Sequence, residues 1–502
     1  MTLFELIAPL DRQGEVVDRH GNLNVEVTAL TDDSRQVKPG CLFVAVKGER
    51  TDGHGFIPQA VANGASALAI QDRSTSVHTS SVPTVSVRDS KSALGLLAAR
   101  LYRDPSSRLR MVGVTGTNGK TTVTYLCKGI LEAAGRSVGL IGTVAYQIGP
   151  ERLNASHTTP GAVELQTLLA RMVETGMHTA VMEVSSHALA MDRTAGCEFD
   201  AAVFTNLTQD HLDFHSDLED YFQAKLRLFE DLSPTGAKTG PKRAIVNADD
   251  PRGARVAQAS RVPVWTYSLR KPADIRAENV RLSLSGTIFT AVTPLGRLEV
   301  ESRLVGEHNV ANMLAAIGVG LHEGLSQEMV CEGLRHVVNV PGRFERVDAG
   351  QNFTVVVDYA HTDDALSRLL VTAQALKTGR VITVFGCGGD RDRGKRPKMG
   401  RVAAQHSDVV ILTSDNPRTE DPMAILREVE IGVRDTLGSG TTRYQVIPER
   451  RQAIEAAIRE ARGGDMVLIA GKGHEDYQII GGQRLHFDDR EVAREAIERV
   501  RT

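Results

Sequence analysis

Apolar residues along this chain fall into short unbroken runs, separated by stretches in which they recur with helical spacing. Cys41–Val46, Ala67–Ile70 and Pro83–Val87 read as buried strands, as do Arg110–Thr115, Thr179–Glu183 and Ala201–Thr205. The alternation restarts with Phe353–Asp358, Arg380–Phe385, Asp408–Leu412 and Asp465–Ala470. Between them, Val123, Leu126, Cys127, Ile130, Leu131 and Ala134 fall on one helical stripe, and Gly135 suits the position just past its end. A second stripe, Leu218, Tyr221, Phe222, Leu226 and Phe229, follows Ser216 and Glu219, which have the spacing of a capping box. Continuous apolar strands alternating with helices predict parallel sheets covered on both faces. Ligands in such sheets sit at the carboxyl ends of the strands. Three blocks are expected: residues 1–88, 89–340 and 341–502.

Composition narrows the class without choosing a function. The 502 residues suit about three domains at roughly 150 residues each. A net charge of −3 excludes a chain that binds nucleic acid through a basic surface. The 5 cysteines (41, 127, 197, 331 and 387) form no CxxC pair, which suits reduced thiols rather than a disulfide framework. No stretch approaches the ~20 apolar residues of a membrane span, and the start lacks a basic leader with an apolar run. A cytoplasmic monomer is expected, with no membrane insertion.

The polar clusters lie just after the strands. Gly116-Thr-Asn-Gly-Lys-Thr-Thr122 joins a strand to a helix, the arrangement that cradles phosphate on backbone N–H groups at a helix N-terminus. Lys120 can reach terminal phosphates, and Thr121 can offer its hydroxyl to Mg²⁺. The usual phosphate loop has glycine five positions before Gly119, where this chain has Val114. ATP is the inferred ligand, and the predicted class is α/β with a central P-loop, parallel-sheet ATPase domain. Glu183 ends a strand and suits either a second Mg²⁺ oxygen ligand or a helix cap. His211 follows the strand Ala201–Thr205, as a magnesium-site or phosphate-proximal group. Lys225 lies on the apolar side of its helix. It would either snorkel outward or, once carbamylated, bind metal as an anion. Asn309, Arg343 and Asp358 stand at element boundaries where a base, phosphate or ribose could be met. In the last block, Gly386–Pro397, Ser414–Arg418 and Gly471–Glu475 follow neighbouring strands. Their arginines suit carboxylates, while Asp415 and Glu475 suit an ammonium, so a small zwitterion such as an amino acid is expected.

Taken in order, Gly116–Thr122, Glu183-Val-Ser-Ser-His187, Asn206–His211, His308-Asn309, Gly342–Phe344 and Asp358–His361 resemble the Mur ligase family across essentially the whole chain. That resemblance implies an ATP- and Mg²⁺-dependent ligase that adds an amino acid to a peptidoglycan precursor. It further implies a first domain for a UDP-sugar-peptide and a C-terminal Rossmann-like domain for the amino acid. Gly116, Thr117, Asn118, Gly119, Lys120, Thr121 and Thr122 would hold ATP, with Asn309, Arg343 and Asp358 contacting the nucleotide. Thr121, Glu183, His211 and a carbamylated Lys225 would serve the metal sites, and Lys120, Glu183, His211 and Lys225 the chemistry. Ser34 and the loop after Val46 match the uridine-nucleotide pocket. Thr158, Thr159, Ser185, Met191 and Arg193 match contacts to the sugar-peptide, UDP-N-acetylmuramoyl-dipeptide. Met191 stands where some relatives have glutamine. Arg391, Asp415, Asn416, Pro417, Arg418, Gly471 and Glu475 match an amino-acid pocket, and Asp415–Arg418 resembles the motif that members use for meso-diaminopimelate.

Overall fold

The computed structural model describes residues 1–48, 51–71, 82–437 and 442–501. Among these, the apolar runs form three sheets. The first has 5 strands in the order Val16–His20, Thr84–Val87, Ala67–Ile70, Cys41–Val44 and Ala29–Thr31. They are parallel except for the first, which meets Thr84–Val87 antiparallel. One face packs Leu42, Val44, Ala67 and Val85 against Leu6 and Leu10 of the helix Leu3–Arg12 and against Leu97 and Ala98 of Ser90–Leu101.

The central sheet has 11 strands. Arg110–Thr115 lies in its middle, parallel to Thr179–Glu183 on one side and Ala201–Phe204 on the other. Burial on both faces explains the unbroken apolar runs. Val112, Val114 and Val203 pack against the helices Lys120–Ala133 and Glu307–His322, while Met111, Met182 and Phe204 pack against Ala162–Glu174 and Leu218–Glu230. The expectation of wholly parallel sheets needs correction at the edges. Ile275–Ser283, Gly286–Thr293 and Gly296–Ser302 form an antiparallel meander, and Tyr146–Ile148 and Glu151–Leu153 extend the opposite edge antiparallel. In Gly296–Ser302 only Leu298, Val300 and Ser302 turn inward, so that strand alternates polar and apolar as a sheet with one wet face does.

The third sheet has 6 strands, with Thr354–Asp358, Met466–Ala470, Val381–Phe385, Val409–Leu412 and Arg443–Val446 all parallel. Helices cover both of its faces. No helix among the described residues is long and apolar enough to cross a membrane.

Two helix termini refine the expected pattern. Lys120–Ala133 ends as anticipated, with Gly135 at φ +75°. Leu218–Glu230 is capped by Asp217 rather than Ser216: the Asp217 carboxylate accepts from the N–H groups of Glu219 and Asp220, both at 2.8 Å. A carboxylate at the N-cap also meets the positive end of the helix dipole.

One ion pair ties the third core to the loops above it. Arg450 and Asp489 are fully buried and joined at 2.7 Å, and Arg450 also donates to the carbonyls of Ser414 and Ala470 at 3.3 and 3.0 Å. Arg450→Ala would leave Asp489 charged and unpaired in the core. Urea denaturation followed by circular dichroism should show a loss of about 3–5 kcal/mol.

Candidate active site

Gly116 follows the central strand at φ +144°, and a Cβ there would lie 1.9 Å from the Thr205 hydroxyl. Only glycine lets the loop run this close to the neighbouring strand end. Gly119 begins the helix at φ +90°, with Asn312 2.5 Å from where its Cβ would stand. The loop is then fixed by its neighbours. Asn118 N–H donates to Asn206 at 3.0 Å, its carbonyl accepts from Thr205 at 2.6 Å, and the Thr117 hydroxyl lies 3.1 Å from that of Tyr221.

Two lysines converge beneath it. Lys120 donates to the carbonyls of Gly116 and Thr117, and Lys225 donates to the same Gly116 oxygen, all at 2.9 Å. Lys225 is 1% exposed, so the snorkelling alternative fails. Burial depresses both ammonium pKa values, and the Lys120 charge adds to the shift at Lys225.

Glu183 is not a helix cap; Ser185 caps the helix Ser186–Ala190. The Glu183 carboxylate, 1% exposed, accepts from the Thr121 hydroxyl at 3.0 Å and from the N–H and hydroxyl of Thr143 at 2.9 and 3.0 Å. This hard oxygen pair, a carboxylate and the phosphate-loop hydroxyl, fits a magnesium ion. His211 sits instead at φ +57° on the wall of the neighbouring cleft, its ring 4.8 Å from His187. Burial holds both imidazoles well below their usual range. No three His, Cys, Asp or Glu side chains among the described residues gather as a metal cluster.

On the other side of the loop, a cavity of about 100 Å³ is lined by Asn118, Gly119, Thr122, Asn309, Asn312, Arg343 and Asp358. Asn309 lies in the first turn of its helix, donating to the Val305 carbonyl at 2.8 Å and accepting from Asn312 at 3.1 Å. Arg343 reaches across from the third sheet's side to the Thr121 hydroxyl at 3.3 Å and stacks 4.7 Å from the Tyr359 ring. Asp358 accepts from the N–H groups of Phe344 and Ala360 at 2.7 and 2.8 Å. Burial raises its pKa, opposed by the Arg343 charge.

The charged loops of the third block do converge. Lys120 and His211 share a cleft of about 620 Å³ with Arg391, Asp415, Asn416, Arg418, Gly471 and Glu475. Asn416 donates to Glu475 at 2.9 Å and accepts from Lys472 at 3.1 Å and from Ile479 N–H at 3.0 Å. Burial, reinforced by Asp415, raises the Glu475 pKa. A Cβ on Gly471 would approach the Asp415 carboxylate to 2.5 Å, and one on Gly389 would meet the Pro417 carbonyl at 1.9 Å. Arg418, at φ +54°, donates to the Gly389 carbonyl at 2.7 Å. Arg391 donates to the Asp390 carbonyl at 3.0 Å.

A third cavity, about 720 Å³, lies between the first and central sheets and shares Ser156, His157 and Arg193 with the cleft. Met191 lines it, its sulfur 3.4 Å from Arg193 Nη2. Thr158, Thr159 and Ser185 line the cleft beyond, and Arg193 donates to the Thr159 carbonyl at 3.0 Å. Ser34 is not brought to the cavity: it is 6% exposed and donates to Gln59 at 2.7 Å. The loop after Val46 is only partly visible, because residues 49 and 50 lie outside the described residues.

Sequence reasoning missed several lining residues. His187 stood within a quoted motif without a role, and Asn312 follows Asn309 by three positions in the same helix. Tyr359 and His361 stood in another quoted motif. Asp364 carried no sequence signal, yet it accepts from Asn118 at 2.8 Å and from Thr208 at 3.4 Å. Only tertiary contact reveals it.

A glycine-rich loop at a helix start facing charged loops across a cleft, with a further cavity opening from the first domain, suits an enzyme class that joins substrates at the expense of a nucleotide. Three families of sequence pattern match this chain: the Mur ligase family catalytic domain over residues 26–102, the Mur ligase middle domain over 114–320, and the Mur ligase glutamate ligase domain over 342–473. The chain belongs to the Mur ligase family. It is 49% identical to the UDP-N-acetylmuramoyl-L-alanyl-D-glutamate–2,6-diaminopimelate ligase of Gloeobacter violaceus, over 100% of this chain and 99% of that one. It is 48% identical to the ligase of the same name from Geobacillus thermodenitrificans, over 96% and 97%. A solved structure of a ligase of that name superposes with a TM-score of 0.71 at 33% identity, covering 100% of this chain and 99% of the other.

The loop bearing Arg391 is held from behind by Arg396, fully buried and paired to Glu420 at 2.7 Å and Glu428 at 2.9 Å. The Arg396 hydrogen bond holds the Glu420 carboxyl down at about 2. A depressed carboxylate stabilises the fold above its unfolded pKa and ceases to do so as pH falls through the folded value. The melting temperature of Glu420→Gln should therefore trail the unsubstituted protein at neutral pH. The gap should begin to close below about pH 4.5 and vanish near pH 2.

Proposed function

We propose that this protein is an ATP-dependent amide-forming ligase that adds meso-2,6-diaminopimelate to UDP-N-acetylmuramoyl-L-alanyl-D-glutamate. It would act in the cytoplasmic synthesis of the peptidoglycan precursor. The observation that carries the reading is the 620 Å³ cleft, in which the phosphate-loop lysine and the charged loops of the third sheet face one another. Full-length identity of 49% to a ligase of that name supports the substrate pair.

The chemistry follows from charge. A carboxylate resists attack by an amine, so the terminal phosphoryl of ATP first passes to the glutamate side-chain carboxylate. The bond from that phosphorus to the bridging oxygen breaks, a C–O–P bond forms, and ADP leaves with the electron pair. The diaminopimelate amine then attacks the carbonyl carbon, its surplus protons go to solvent, and phosphate departs with the electrons of the broken C–O bond. In this reading Lys120 meets the terminal phosphates, and Asn309, Arg343 and Asp358 hold the nucleotide in the 100 Å³ cavity. Thr121 and Glu183 would hold Mg²⁺, which supplies screening of the repulsion between carboxylate and triphosphate. Arg193 and Met191 stand where the sugar-peptide would pass from the first-domain cavity into the cleft.

Asp415 and Glu475 would take the distal ammonium of diaminopimelate, and Arg418 its distal carboxylate, which lysine lacks. An arginine left facing no anion can discriminate by about 10⁴-fold. Phosphate release with UDP-MurNAc-L-Ala-D-Glu should therefore require diaminopimelate and fail with L-lysine, and Arg418→Ala should remove that preference. Equal turnover with both amino acids would sink the specificity reading and leave the family untouched.

Lys225 would act as a carbamate. Its neutral amine attacks CO₂, forms an N–C bond and releases a proton, giving an anion within reach of the Gly116 loop. Burial and the nearby Lys120 charge lower its ammonium pKa, which favours the neutral amine, and the Lys120 cation would meet the charge of the carbamate. Enzyme exchanged into CO₂-free buffer should lose phosphate release and regain it on adding bicarbonate, whereas Lys225→Ala should not respond.

A further inference from the structure

Five cationic side chains line the 620 Å³ cleft: Lys120, Arg193, Arg391, Lys395 and Arg418. Four of them donate to backbone carbonyls within the protein. Of these five, Lys395 is the one whose charged group has no hydrogen-bond or ion-pair partner among the described residues. Its charge acts on Asp210 and His361, which line the same cleft.

Its position is built rather than incidental. Lys395 opens the helix Lys395–His406. The next residue, Arg396, is fully buried and locked to Glu420, Glu428 and the Gly388 carbonyl. One turn on, Lys398 donates at 2.9 Å to Gln209, on the central-domain loop that carries Asp210 and His211. The start of this helix is thus fixed to its own domain on one side and to the opposite wall of the cleft on the other. Lys395 is presented into the space between, facing the wall that holds Lys120.

An ammonium held there makes no hydrogen bond to the described residues and is free to meet what enters the cleft. On the ligase reading above, the group that moves through it is a phosphoryl dianion. Lys120 belongs to the site where that group starts, attached to ADP. Once the group is on the substrate carboxylate, it has moved toward the amino-acid side, and its charge must be met from the third domain.

We propose that Lys395 is a catalytic residue supplied by the C-terminal domain, whose ammonium contacts the non-bridging oxygens of the transferred phosphoryl group in the acyl phosphate and stays with them as phosphate leaves. The bonds made and broken are those already given; Lys395 neither gains nor loses a proton, and acts through charge. It also makes the chemistry conditional on the third domain being docked, because the cation arrives with that domain.

The test compares Lys395→Met, Lys395→Gln and Lys395→Arg in the full chain, with ATP, UDP-MurNAc-L-Ala-D-Glu and meso-diaminopimelate. The unsubstituted enzyme first reports whether phosphate release needs both co-substrates; without that, the ligase reading itself fails and Lys395 is not at issue. For Lys395→Met and Lys395→Gln, kcat should fall about 100-fold or more, with KM for diaminopimelate and the melting temperature unchanged. Acyl phosphate formation, followed without diaminopimelate by positional isotope exchange in labelled ATP, should fall with kcat. Lys395→Arg, which keeps the charge, should recover much of both. A rise in the diaminopimelate KM alone would overturn the proposal and make Lys395 an amino-acid contact. Equal losses in all three variants, or none, would overturn it as well.

Discussion

Two ammonium groups aimed at one carbonyl oxygen, that of Gly116, set the terms for the centre of this molecule. Lys120 and Lys225 both stand 2.9 Å from it. Like charges this close and this buried raise the cost of ionising either. The surrounding anions answer that cost: the charges of Glu183 and Asp210 oppose the shift at Lys120, and that of Asp210 opposes it at Lys225. The loop is thus a charged assembly, in which burial and like charge are opposed by Glu183 and Asp210. Gly116 itself is held by steric necessity, because Thr205 leaves no room for a side chain.

That assembly is open toward the third domain, and several contacts cross the gap. Arg343 reaches Thr121, Asp364 takes the Asn118 amide, and Lys398 takes Gln209. Each ends on or beside the phosphate loop or the His211 loop, where chemistry would occur. None is a large apolar surface. Polar, few-point contacts of this kind permit relative domain motion, which suits an enzyme that must admit a long substrate and then exclude water.

The parallel strands were legible because burial on both faces removes polar residues from them, leaving runs such as Val381–Phe385 and Met466–Ala470. The antiparallel edges were not, because a strand with one wet face, such as Gly296–Ser302, carries only half as many apolar residues. The cap at Asp217 was misplaced by one residue because Ser216 and Asp217 are both good caps and only geometry separates them. The hydrogen bond from Ser34 to Gln59, on the helix Ile57–Ala62, had no sequence signal either.

By itself the sequence determined the local chemistry: a glycine pattern suited to a phosphate loop, carboxylates at strand ends, and charged loops behind neighbouring strands. These follow from backbone sterics and burial, which act over a few residues. Tertiary structure alone decided which groups meet. It joined Asp364 to Asn118 across 246 positions and gave Thr121 to Glu183 across 62. It also buried Lys225 against Gly116 across 109 and set Lys395 in the cleft wall with no hydrogen bond to the described residues. Such distances depend on how sheets stack and domains dock, and no spacing along the chain encodes them.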